Sequence, residues 1–240
     1  MKRSIICACA AAALTFTAAS ADGQQITSPY DFVETAQGIR GFASWVFTDR
    51  GAMEMGPHSG AAFGLGYNIR ISGPFELDAQ ASFFPTTRTV FDDTPQDSTA
   101  LTDDPTLGLV ELGTADLSLL LVDATLRFDL TGPRTWNALQ PFALIGVGGA
   151  FVVTSDNSAE EDLPDPAVED LRVRFRNGFT GHVGAGVEWH ASQRFTLRAE
   201  ARDLLWKVHV PETFLQRGRL IDTEEWVQTA HLTLGLVWRF

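Results

Sequence analysis

The sequence predicts an all-β chain, an eight-stranded antiparallel up-and-down transmembrane β-barrel with short periplasmic turns and long external loops. Three observations predict it. The closing run Leu232-Thr233-Leu234-Gly235-Leu236-Val237-Trp238-Arg239-Phe240 alternates strictly between large apolar residues and small or polar ones. Alternation of period two marks a strand with one apolar and one polar face. Other segments read the same way, and the connections between them are short and long by turns, as in outer-membrane barrels. After the N-terminal leader no apolar stretch reaches the roughly eighteen residues of a membrane helix, so any crossing is made by a closed barrel.

Each element follows from its composition. Lys2-Arg3, the apolar stretch from Ile5 to Ala19 and Ala19-Ser20-Ala21 read as a signal peptide over 1–21, cleaved before Asp22. Cys7 and Cys9 lie inside it, so the exported chain carries no cysteine and no disulfide. Residues 22–37 read as a periplasmic N-terminal segment and 38–240 as the barrel domain. The strands are expected over Gly38 to Phe47, Ala62 to Ile71, Phe75 to Phe84, Leu117 to Leu130, Pro141 to Val152, Phe179 to His190, Arg194 to Leu204 and Val227 to Phe240. Most have the about nine to eleven residues that a tilted membrane strand needs. Ser72-Gly73-Pro74, Thr131 to Ala138 and Ala191-Ser192-Gln193 are the short turns. Thr48 to Gly60, Pro85 to Asp116, Thr154 to Gly178 and Val208 to Trp226 are the long loops. The C-terminus lies on the short-turn side, which puts those turns in the periplasm.

Two turns set registers that sort the faces. A turn centred on Gly73 pairs Arg70 with Glu76 and Asn68 with Asp78, and puts Phe63, Leu65, Tyr67 and Ile69 against Phe83, Ala81, Ala79 and Leu77. A turn closed by Ala191-Ser192-Gln193 pairs Trp189 with Phe195, Gly184 with Glu200, Gly186 with Arg198 and His182 with Arg202. A one-residue slip would scramble both faces. The polar face is read as the inside. It is rich in glycine (Gly64, Gly66, Gly146, Gly148, Gly184, Gly186, Gly235), which suits a narrow interior, and the mid-strand charges fall on it. Charge on the lipid side would cost about 2–4 kcal/mol per Lys or Arg at the midplane. Phe75, Phe128, Trp189, Phe195, Trp238 and Phe240 would form an interfacial girdle at the periplasmic rim. The inverse arrangement, a soluble lipocalin-like ligand binder, would be apolar within.

The chain resembles the small eight-stranded bacterial outer-membrane barrels similar to the transmembrane domain of outer-membrane protein A. The leader carries the resemblance, together with Gln140-Pro141-Phe142-Ala143-Leu144-Ile145-Gly146-Val147-Gly148, Arg198-Ala199-Glu200-Ala201-Arg202-Asp203 and the closing strand. It covers about 38–240. It implies export to the outer membrane, contact with outer-membrane lipids, and recognition of the terminal Phe240 by the barrel assembly machinery. It departs from that family in having no peptidoglycan-binding domain after Phe240, so no cell-wall anchoring role is expected.

Candidate chemistry is thin. Arg70, Glu76, Asp123, Arg127, Glu188, Arg198, Glu200 and Arg202 are expected to form a polar lumen network, since charges taken from water need partners. His182, His190 and His231 fall on the same face. Some barrels of this size are lipid-modifying enzymes that use histidine with serine and an acid, but no nucleophile is evident beside these histidines. The acidic groups Asp92, Asp93, Asp97, Asp103 and Asp104, and Glu160, Glu161, Asp162, Asp165, Glu169 and Asp170, fit no twelve-residue calcium loop and read as solvated loop charge. Arg172, Arg174 and Arg176 read as an extension of the sixth strand. No cofactor or metal site is expected. Nor is nucleic acid a partner, because the net charge is −12 and becomes −14 when Lys2 and Arg3 leave with the leader. The expected function is non-enzymatic, a structural or surface-exposed barrel. A lipid-modifying enzyme and a narrow channel for small solutes stand as alternatives.

Overall fold

The computed structural model describes residues 28–51, 54, 56–93, 109–155, 177–209 and 224–240. Ten strands occur in this order: β1 Tyr30–Phe32, β2 Gln37–Thr48, β3 Gly60–Ser72, β4 Phe75–Asp93, β5 Leu109–Asp129, β6 Arg134–Trp136, β7 Leu139–Ser155, β8 Gly178–His190, β9 Phe195–His209 and β10 Glu224–Arg239. Eight of them form one closed antiparallel sheet, each paired with its chain neighbour, β5 with β7 across the short β6, and β10 with β2. Closure leaves no free edge among these eight.

Alternation follows the period of the strand. In β2, Arg40, Phe42, Ser44 and Val46 are buried, while Ile39, Trp45 and Phe47 are exposed. The outer surface carries a belt of exposed apolar side chains, with Leu65 67 %, Ile145 59 % and Leu234 71 % exposed. The interior of the same wall buries arginine and carboxylate side chains, among them Arg40, Arg127, Glu76 and Glu188, together with apolar ones. This arrangement is apolar outside and polar inside, the inverse of a soluble barrel.

The first hairpin has the expected register, with Arg70 opposite Glu76 and Phe63 opposite Phe83. The second does not. Trp189 faces Leu197, Gly184 faces Arg202 and Gly186 faces Glu200, while His182 faces Leu204, two residues from the expected pairing. Phe195 meets Trp238 instead of Trp189. The cause is local. The Ser192 hydroxyl accepts from the amides of Arg194 (3.3 Å) and Phe195 (3.1 Å), and the Ser192 amide donates to the Phe195 carbonyl, so the turn spans more residues than Ala191-Ser192-Gln193. A slip of two preserves the faces, and the lumen assignment survives it.

Two further departures lie at the ends. β4 and β5 run to Asp93 and from Leu109, so much of the expected loop from Pro85 to Asp116 is paired strand. The expected turn Thr131 to Ala138 contains β6, which pairs with β1 in the N-terminal segment, Tyr30 opposite Trp136 and Phe32 opposite Arg134. Asn137 and Ala138 carry the chain from β6 into β7 with φ of 50° and 62°, the positive pair of a tight hairpin turn. The leader, Asp97, Asp103, Asp104, the acidic stretch Glu160 to Asp170 and Arg172, Arg174 and Arg176 lie outside the described residues.

Candidate functional site in the lumen

In the half of the lumen next to the short turns, charged side chains fill the space from wall to wall. Arg127, from β5, is wholly buried and makes a two-pronged contact with Glu188 of β8, Nη1 to Oε1 at 2.5 Å and Nη2 to Oε2 at 3.1 Å. Its Nε reaches Asp129 at 2.6 Å and its Nη1 lies 3.5 Å from Glu76. Arg239 of β10 approaches the same Glu188 at 2.5 Å. Higher in the barrel Arg198 holds Asp78 at 2.8 Å and Glu200 at 2.7 Å, and Arg202 holds Glu200 at 2.8 Å. Arg40 joins them through Asp78 at 3.2 Å and Gln80 at 2.6 Å. Gln80 in turn donates to Asp123 at 3.0 Å. Phe142 lies between the two clusters, with the guanidinium carbons of Arg127 and Arg198 at 4.2 and 4.6 Å from its ring centre. Such contacts suit desolvated guanidiniums.

The eight expected network residues divide unevenly. Glu76, Arg127 and Glu188 form the lower cluster; Arg198, Glu200 and Arg202 form the upper one. Asp123 touches the upper cluster through Gln80. Arg70 stands apart, partly buried at the rim, where its Nη1 donates to the Val33 carbonyl at 2.7 Å. Sequence reasoning missed Arg40, Asp78, Asp129 and Arg239, all of which lie at alternate inward positions and were legible by counting along their strands. In the half next to the short turns, counting the partly buried Arg70, six guanidiniums (Arg40, Arg70, Arg127, Arg198, Arg202, Arg239) face six carboxylates (Glu76, Asp78, Asp123, Asp129, Glu188, Glu200), and a further guanidinium, Arg88, is buried on β4 toward the long loops.

Toward the long loops the lumen is mixed: Val46, Ala62, Phe84, Leu117 and Leu119 form a packed apolar cluster with Trp206 and Val227 beside it, and Arg88, Thr180 and Thr229 are buried in the same half. The void among Val46, Phe84, Leu119, Leu204, Trp206 and His231 is about 20 Å³, about enough for one water. The outward residues at this level are mixed: Trp45, Phe47, Phe63, Leu205 and Trp226 are exposed and apolar, while Asp49, Asp116, Lys207 and Gln228 are exposed and polar.

The histidines separate. His190 is at the short-turn rim, between Gln140 at 3.0 Å and Thr196 at 3.2 Å. His231 lies beneath the apolar tier. His182 does have a hydroxyl partner, contrary to expectation: Thr125 Oγ1 is 2.9 Å from Nε2, and Asp123 Oδ1 is 3.8 Å from Nδ1. This is the order of hydroxyl, base and acid, but Thr125 is wholly buried, so no substrate carbonyl can reach it. Gly146 and Gly148 make room for this trio; a Cβ on Gly146 would lie 2.6 Å from His182 Cε1, and one on Gly148 would overlap Asp123.

At the short-turn rim the residues around β1 lie across the opening. The Val33 amide bonds to Pro133, the Asn137 amide to Pro29 and the Arg70 amide to Ala36, tying this segment to the barrel. Phe75, Phe128, Trp189, Phe195, Trp238 and Phe240 point outward near the same rim, each between 41 % and 51 % exposed. Phe75 stacks with Phe128 at 5.4 Å and Trp238 with Phe240 at 5.4 Å.

No family model matches the chain, and no curated protein matches it. Solved structures do. The outer membrane protein OprG from Pseudomonas aeruginosa is 14 % identical, with a TM-score of 0.51 over 87 % of this chain and 97 % of that one. Neisserial surface protein A is 12 % identical, with a TM-score of 0.49 over 85 % of this chain and 97 % of that one. At such identities the likeness is one of fold. Taken with the closed sheet, the chain has the fold of the small eight-stranded outer-membrane β-barrels.

Proposed function

We propose that the protein is a non-enzymatic barrel of the bacterial outer membrane, sealed along its axis, whose external loops meet partners at the cell surface. The observation that carries this reading is the double closure of the lumen: a charge-balanced ionic plug in one half and a packed apolar cluster in the other. A continuous water path would have to break buried ion pairs, each costing several kcal/mol, about 3–5, when one partner is lost. The apolar belt supports membrane placement, with the short turns and the girdle aromatics on the periplasmic side and Phe240 presented to the assembly machinery. On this reading 1–21 is a cleaved signal peptide and 22–37 a periplasmic N-terminal segment.

Two experiments test it. Membranes washed with urea should retain the protein, and the unboiled form should migrate as a compact species on a gel while the boiled form does not. Release into the wash with no mobility difference sinks the membrane reading. Planar-bilayer recordings should then give no conductance steps above background. Steady steps would make it a channel, and replacing Glu188 or Arg127 should change them.

A further inference from the structure

One outward-facing position breaks the rule that the belt is uncharged. Asp203 on β9 points away from the lumen, two residues from Leu205, and among the described residues no hydrogen bond or ion pair reaches it. Leu77, Leu126, Ile145, Val183 and Asp203 form one hydrogen-bonded row around the wall, which Ala230 continues beyond Asp203. Along this row runs an outer groove of about 540 Å³. Four strand spacings make the row about 19 Å long, enough for most of an extended acyl chain. The row climbs. Leu77 is two residues beyond Phe75 at a short turn, whereas Asp203 is eight residues beyond Phe195, toward the long loops.

The groove exists because the next row dips. Ala124 and Gly181 lie in its floor, and a Cβ added to Gly181 would meet nothing within 4 Å. A second groove of about 580 Å³ crosses Gly41, Ala43, Ala199 and Leu234 on the other side, and its outward lining carries no charge. The difference between the two is Asp203. A carboxylate facing hydrocarbon is unfavourable until a donor reaches it, and a cationic donor makes the strongest hydrogen bond.

We propose that the groove with Asp203 holds one lipid of the surrounding membrane. Its acyl chain lies along the row toward the short-turn end, and its ammonium head group bonds Asp203. The apolar walls take the chain; the carboxylate selects the head group. The proposal rests on the membrane placement given above, and the boiled and unboiled gel tests that placement separately on the same preparation.

The test is native mass spectrometry of the full-length protein in mild detergent, titrated with phosphatidylethanolamine or phosphatidylglycerol. The wild type should bind one phosphatidylethanolamine about tenfold more tightly than phosphatidylglycerol, the size of one charge-assisted hydrogen bond. Asp203→Asn should erase the preference. Gly181→Leu, which fills the groove from an open position, should abolish the adduct, while Gly41→Leu in the uncharged groove should leave it intact. Equal binding of the two lipids by the wild type, or undiminished binding by Gly181→Leu, overturns the proposal even where the gel shift is normal. A wild-type dimer that Gly181→Leu abolishes overturns it differently, because a second copy would then cover the groove. Loss of the gel shift itself removes the membrane reading and the lipid site together.

Discussion

The two halves of the lumen are built from the same strands with the same inward parity, yet they are opposite in chemistry. β9 contributes Arg198, Glu200 and Arg202 to one half and Leu204 and Trp206 to the other. β5 contributes Asp123, Arg127 and Asp129 to one, and Leu117, Leu119 and Leu121 to the other. The far side of the wall does not explain the change: Trp45 and Phe47 flank Val46, and Leu205 lies between Leu204 and Trp206, all exposed and apolar. The inner face passes from ionic to apolar along one strand without a change of phase in its alternation.

The comparison is broken most forcefully in the ionic half. Arg127→Met should leave Asp129 without its cation, Glu76 with Arg239, and Glu188 with Arg239 and Arg198, costing about 3–5 kcal/mol in reversible urea unfolding in detergent micelles. A loss below about 1 kcal/mol would mean that water already solvates this cluster. Truncation in the apolar half should cost less. Leu119→Ala is expected to lose about 2–3 kcal/mol, low for such a change because the adjoining void lets neighbours relax. A loss equal to that of Arg127→Met would erase the contrast between the halves.

At the junction, Gly146→Ala should push His182 off Thr125 at about 1–3 kcal/mol, and the imidazole signals in NMR should move with it. Unchanged signals would mean that the wall yields instead. The smallest effect lies in the β2–β3 connection, where His58 bonds the Thr89 hydroxyl at 2.9 Å and the Arg50 guanidinium bonds the same hydroxyl. Burial, and then the positive charge of Arg50, lower the His58 pKa below its ordinary 6.5. The unfolded turn therefore takes up its proton before the folded one does. The turn is at full stability above about 6.5 and loses it as the pH falls. An NMR titration of His58 should show a midpoint below 6.5, and a midpoint above it would place an unseen acid at the ring.

Much of this was legible from local pattern. Alternation in β10, the proportions of short and long connections and the turn at Gly73 sufficed for strand number, direction and the first register, because period and turn geometry are properties of short segments. The second register was not legible, because the Ser192 hydroxyl competes for backbone amides and an isolated Ala-Ser-Gln does not reveal which it will win. Thr125 beside His182 was equally hidden. The two residues come from β5 and β8, and the strand that separates them, β7, offers Gly146 where any other side chain would keep them apart.

By itself, then, the amino-acid order determined the strands, their inward and outward faces and the presence of charge on the inner one, since these depend on residues two apart along one strand. Only the tertiary structure decided which charges meet, that the lumen changes from ionic to largely apolar, and that an apolar groove runs beside Asp203. Those depend on the tilt and closure of the sheet, which bring together residues from strands far apart in the chain and set how far each strand extends beyond the apolar belt.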